Sequence, residues 1–258
     1  MVFDIYVMTL LFVLGLVMGS FYTVVGSRLP RNESIVKPRS HCESCNHILK
    51  WYELIPVVSY VIQRGRCSKC HVKLSLMYPL IELFNGFLFS LSYALYGFSY
   101  EMIVFLIISS LVILVFVSDF QYMIILDEPL IIASVIILVM KLIVFGFDTF
   151  TRSIFSGLIM FLFMMLIKVL GDKAFKRESL GGGDIKLVTF FGFVFAVRLS
   201  FVSIVIGSFL AFPYAVFVSL SKKEREVPFG PFLILAFMLV FIFMEPIKEL
   251  MDLFIIGI

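Results

Sequence analysis

Apolar residues run along this chain in long blocks rather than at the intervals that mark half-buried strands or surface helices. Crossing hydrocarbon of about 30 Å takes roughly 20 such residues. Eight blocks come near that length, at 5–27, 77–97, 101–119, 128–147, 152–170, 184–197, 199–220 and 229–256. The sixth is short, and the eighth is interrupted by Glu245, Pro246 and Lys248. The pattern predicts an all-α fold, a polytopic membrane bundle of about eight transmembrane helices. One stretch departs from it: residues 28–76 are polar, rich in Arg, Lys, Ser and Cys, and too long for a turn between helices. The expected division is a first transmembrane helix at 1–27, a small module at 28–76 and a transmembrane bundle at 77–258.

Composition agrees with that reading. Of 258 residues, 61% are hydrophobic and 15% charged, and the mean hydropathy is +1.09. These values exclude a water-soluble enzyme and a disordered chain alike. The net charge of +3 matters less than where the charges fall. No Lys or Arg precedes Arg28, and Asp4 lies near the start, so the first block reads as a retained span with its N-terminus outside. Residues 28–76, 119–127, 171–183 and 221–228 then face the cytoplasm. The first of these holds nine Lys or Arg against three acids, and 168–186 and 222–225 add five and three basic residues. Arg152 and Arg198 fall on the other side. Lipid headgroups are the ordinary partner for basic residues between spans, and nucleic acid need not be invoked.

All four cysteines lie in the 28–76 module, as Cys42-x-x-Cys45 and Cys67-x-x-Cys70 with 21 residues between the pairs. Each pair can supply two thiolates from one tight turn, and cytoplasmic thiols stay reduced, which favours a tetrahedral zinc site over disulfides. A dithiol redox pair is the competing use. His41 and His71 flank the pairs, although four thiolates need neither. A segment this small cannot hold itself together by apolar burial, so a metal staple suits it. A closed four-thiolate site has no position for a reacting water, which makes the expected zinc structural and the module zinc-ribbon-like.

Acids beside spans are costly unless paired or hydrated, and each is therefore a functional hypothesis. Asp119 ends the third block, Asp127 follows eight residues later, Asp184 comes directly after Gly181, Gly182 and Gly183, and Glu82 lies early in the second block. The expected topology puts Asp119 and Asp184 at the same depth on the cytoplasmic face, although 65 residues separate them. Two nearby carboxylates do not both ionise cheaply. One keeps a proton as acid while the other, as base, activates a water against an amide carbonyl. Asp119 and Asp184 are thus the expected catalytic pair for peptide hydrolysis without a covalent intermediate. The three glycines leave room for a substrate backbone. With Lys186, Asp127 and Glu82 they make the expected substrate-binding set, against helix capping for Asp127 and a helix-start charge for Glu82. Gly15 and Gly19 form a small-xxx-small face suited to close helix packing.

These residues resemble the prepilin leader peptidases, membrane aspartic endopeptidases of type IV pilus, type II secretion and competence systems. The likeness covers nearly the whole chain: Gly19-Ser20-Phe21 through Arg28-Leu29-Pro30, the double cysteine motif, Trp51 to Tyr60, Tyr78-Pro79-Leu80-Ile81-Glu82, Asp119, Gly181 to Asp184 with Lys186, and Pro228-Phe229-Gly230-Pro231. Thr23 stands where Asn is common, and Leu126 where Pro often precedes the second aspartate. The resemblance implies prepilin or pseudopilin precursors as substrates, cut after Gly on the cytoplasmic side of the bacterial inner membrane. In many members it also implies N-methylation of the new N-terminus with S-adenosylmethionine. A signal-peptide-peptidase-like protease shares the Gly-x-Gly-Asp box. A transporter would want its acids nearer the membrane midplane, and a membrane adaptor would need neither aspartate.

Overall fold

A computed structural model of the protein describes residues 2–176, 178–220 and 227–256. Arg177, Lys222, Lys223 and Arg225, counted above as cytoplasmic charges, lie outside these residues. The described elements are helical, in the order α1 (Val2–Arg28), α2 (Val58–Ile62), α3 (Met77–Tyr96), α4 (Tyr100–Tyr122), α5 (Asp127–Phe175), α6 (Gly182–Val194), α7 (Val197–Leu220), α8 (Gly230–Ile242) and α9 (Met244–Ile256). Short 3₁₀ turns cover Leu29–Arg31 and Trp51–Leu54.

Four helical stretches are long and apolar enough to cross a membrane, and α8 with α9 would make a fifth if that pair, bent by 82°, is one span. The predicted blocks are recognisable as helices, with one change in how they divide. The blocks at 128–147 and 152–170 run together as α5, which is broken at Gly146 by a backbone that only glycine adopts readily (φ +83°). α6 has 13 residues, about 20 Å at 1.5 Å per residue, short of the hydrocarbon thickness. α3 has the length, but Pro79, Glu82 and Asn85 dilute its apolar run. The bend between α8 and α9 falls beside the Glu245, Pro246 and Lys248 interruption.

The chain divides into two compact units, 1–121 and 122–258. In the first, α1 lies along α3 at very short range. A Cβ on Gly15 would meet the Gly86 Cα at 2.7 Å, and one on Gly19 would meet the Glu82 Cα at 3.1 Å. Such contact replaces the missing hydrophobic drive between helices in lipid with van der Waals packing. Asn85 Nδ2 donates to the Gly15 carbonyl at 2.7 Å, and the Tyr22 hydroxyl of α1 donates to Ser110 Oγ of α4 at 2.7 Å.

In the second unit α5 and α6 approach at Gly157 and Gly192, where a Cβ on Gly192 would meet the Gly157 Cα at 2.6 Å. Phe237 of α8 stacks on Phe191 of α6 with centroids 4.1 Å apart and planes at 6°. The buried ammonium of Lys141 donates to Ser153 Oγ and to the Phe193 and Val194 carbonyls, at 2.8, 2.8 and 2.9 Å. It satisfies carbonyls that the end of α6 leaves without intrahelical donors.

Candidate functional sites

The cysteine module is built from two copies of one turn. Cys42 N–H donates to the His47 carbonyl and Asn46 N–H to Cys42, and Cys67 N–H donates to Val72 and His71 N–H to Cys67. Asn46 and His71 occupy the same position in the two turns, both with left-handed backbones (φ +54° and +59°). An antiparallel bridge closes each turn, His41 with Ile48 and Arg66 with Lys73. The four sulfurs all lie within 4.8 Å of one another. Cys42 Sγ is 3.8 Å from Cys70 Sγ, and Cys45 Sγ is 4.0 Å from Cys67 Sγ. A tetrahedron with metal–sulfur bonds of about 2.3 Å has edges of about 3.8 Å. The four cysteines are therefore arranged as a metal site, and neither His41 nor His71 belongs to it.

Nearby donors and burial act unequally on the four thiols. N–H groups of Cys70 and Lys69 pull the Cys67 thiol down to about 6. The His47 N–H acts to lower Cys45, but burial and hydrogen bonds with Cys70, Cys42 and Cys67 outweigh it and leave that thiol at about 11. Four sulfurs this close share negative charge poorly without a positive centre.

Glu53, absent from the expected site, is the strut between the two turns. Its buried carboxylate accepts the Lys50 N–H at 2.8 Å, His47 Nε2 at 3.2 Å and the Ser68 hydroxyl. Those bonds, led by the Lys50 N–H, hold its pKa below the usual carboxylate range. The clue in sequence is that it is the sole acid between the cysteine pairs, set in an otherwise apolar and basic segment.

Glu82 of α3 is buried and accepts the Val57 N–H at 2.7 Å, with Ser20 of α1 as a further hydrogen-bond partner. It thereby ties the Gly19-Ser20-Phe21 segment to the cysteine module. Val57 has φ +61°, a strained conformation for a β-branched residue. Arg28, also buried, donates from Nη1 to the Ser34 and Pro38 carbonyls at 3.1 and 2.8 Å, and so clamps the loop leaving α1.

Asp119 sits in the last turn of α4 and is buried, after a helix of almost unbroken Leu, Ile, Val and Phe. In the second unit, Asp184 is the third residue of α6, where a carboxylate suits the helix N-terminus. The three glycines ahead of it have different surroundings. A Cβ on Gly181 would lie 3.1 Å from Asp184 Oδ2, one on Gly183 would meet the Ile125 Cβ at 2.8 Å, and one on Gly182 would meet nothing within 4 Å. Asp127 is the first residue of α5, whose cap position belongs to Leu126, so the capping weighed as the alternative for it is not what the helix start shows. Both of its oxygens instead accept Lys186 Nζ, at 2.7 and 2.6 Å. That bond and the Gly183–Ile125 contact fasten the start of α5 to the start of α6 beside Asp184.

Comparison with known proteins extends this picture. Residues 13–96 match the family model described as the bacterial peptidase A24 N-terminal domain, and residues 105–216 match the type IV leader peptidase family. Proteins named prepilin leader peptidase/N-methyltransferase are similar over much of the chain. The one from Bacillus subtilis is 34% identical over 87% of this chain and 89% of its own length. The one from Vibrio cholerae is 30% identical over 92% and 97%. The one from Myxococcus xanthus is 38% identical over 70% of this chain, which spans 54% of that relative's length. No solved structure matches. The chain belongs to the type IV leader peptidase family.

Proposed function

We propose that this protein is a prepilin leader peptidase of the bacterial inner membrane, which cuts the basic leader from prepilin or pseudopilin precursors after Gly on the cytoplasmic side. Asp119 and Asp184 form its acid pair. The observation that carries this reading is Asp184 at the head of α6, with Gly182 open beside it, in a chain whose α4 carries another aspartate, Asp119, buried in its last turn. One carboxylate takes a proton from water while the other donates a proton to the scissile carbonyl oxygen. The resulting diol collapses as the leaving amine is protonated, and the pair returns to sharing one proton. The two halves of α5, α3 and the short α6 then bring the number of membrane passes to about eight.

Gly181, Gly182, Gly183, Lys186, Asp127 and Glu82 serve substrate binding in this reading. Asp127 and Lys186 do so as a pair that holds the start of α6, and Glu82 does so by joining α3 to the cysteine module. Cys42, Cys45, Cys67 and Cys70 hold a structural zinc, supported by sulfur spacings that suit tetrahedral thiolate coordination. The names of the relatives support a second activity, in which S-adenosylmethionine supplies a methyl group to the new N-terminal amine.

The test is to incubate the purified enzyme in detergent with a pilin precursor, with and without S-adenosylmethionine, and to read the mature N-terminus by mass spectrometry. Cleavage after Gly is expected, with one methyl group added when the methyl donor is present. Cleavage retained in Asp119→Asn or Asp184→Asn would overturn the acid-pair assignment.

A further inference from the structure

Between Trp51 and Ile62 the cysteine module is patterned inside out. The exposed residues of this stretch are Trp51, Tyr52, Leu54, Ile55, Val58, Val61 and Ile62, every one apolar or aromatic, while its sole charge, Glu53, is turned inward. Trp51 and Ile62 are each 75% exposed and Val61 67%. On α2, Val58, Val61 and Ile62 stand at i, i+3 and i+4 and so share one face. Trp51 and Leu54 stand at i and i+3 of a 3₁₀ turn, where side chains eclipse. Water-facing segments of small modules show the opposite arrangement, and exposed apolar patches of this kind mark interaction surfaces.

We infer that this face of the module is seated in the headgroup region of the anionic cytoplasmic leaflet. Three observations select lipid as the occupant. The module is tethered at one end to α1, a helix long and apolar enough to cross a membrane, and runs at the other into α3 at Met77, which the proposed function makes a further pass. Exposed basic residues bracket the apolar stretch, Lys50 before it and Arg64 and Arg66 after it, which suits lipid phosphates. The patch also contains an adjacent Trp and Tyr, the residues that prefer the membrane–water boundary, with Lys50 Nζ 5.8 Å from the Tyr52 ring centre. The module thus grips the leaflet with this one face.

Trp51 is the chain's single tryptophan, so its fluorescence reports on this face alone. Full-length enzyme would be reconstituted into vesicles of phosphatidylcholine and phosphatidylglycerol carrying phosphatidylcholine brominated at shallow or deep acyl positions. With no precursor present, shallow bromines are expected to quench Trp51 by half or more, and more strongly than deep ones. The double variant Val61→Glu, Ile62→Glu should lose most of that quenching while cleaving precursor at an unchanged rate in detergent. Water-like emission without quenching would overturn the inference, as would deep bromines quenching more strongly or quenching that persists in the double variant. A change in emission that appears only on adding precursor would assign the face to a protein partner instead.

Discussion

Glu53 and the two aspartates show how differently a carboxylate behaves according to what surrounds it. Glu53 is buried with both oxygens occupied by donors from its own module. Replacing it by Gln should cost about 1–3 kcal/mol, because a buried network then carries a mismatched partner, and should lower metal retention in the purified protein. Its folded pKa lies below its unfolded value, so its stabilisation is present above the unfolded pKa of about 4.3 and fades as pH falls through the folded one. Acid titration of metal release should therefore begin at higher pH in Glu53→Gln than in the wild type. Asp119 and Asp184 should respond differently to substitution. Asn at either position is expected to reduce leader cleavage by about 10³-fold or more, with thermal unfolding in detergent within about 1 kcal/mol of wild type.

At the scale of the element, the heads of α5 and α6 make the sharpest prediction, because the three glycines before Asp184 are not equivalent. Ala at 183 drives a Cβ into the Ile125 side chain, whereas Ala at 182 enters open space. Gly183→Ala should destabilise the protein by about 1–3 kcal/mol and slow cleavage by displacing the start of α6. Gly182→Ala should leave the melting temperature unchanged. If it slows cleavage, the effect should appear in KM for precursor, since that backbone is where a substrate strand has room. At the other end of α6, Lys141→Met removes the donor to two helix-terminal carbonyls, and a loss of about 1–3 kcal/mol in thermal or denaturant unfolding is expected.

For the whole molecule, the cysteine module is the region whose stability rests on something other than apolar burial. Plasma emission spectrometry of purified protein should find one zinc per chain. Stripping it with a strong chelator should open the 28–76 module to proteolysis while the apolar helices keep their circular dichroism, because the proposed zinc would be what closes the module. Cys42→Ser with Cys45→Ser should reproduce that protease sensitivity without chelator.

Much of this was legible in the one-dimensional pattern. Hydrophobic blocks longer than any soluble element imply membrane helices whatever their packing, and paired thiols at short spacing imply tight metal-binding turns, because both properties are local. The glycines before Asp184 and the small face at Gly15 and Gly19 are local in the same sense. Three things depended on contacts between distant parts of the chain. Lys141 lies in an apolar block and serves the far end of another helix. Asp127 and Lys186 become partners once two helix starts are brought together. Glu53 becomes a strut when the two cysteine turns close around it. Hydropathy and spacing measure what a residue is, whereas an ion pair or a buried hydrogen bond depends on which donor the fold carries to it, and that choice is made in three dimensions.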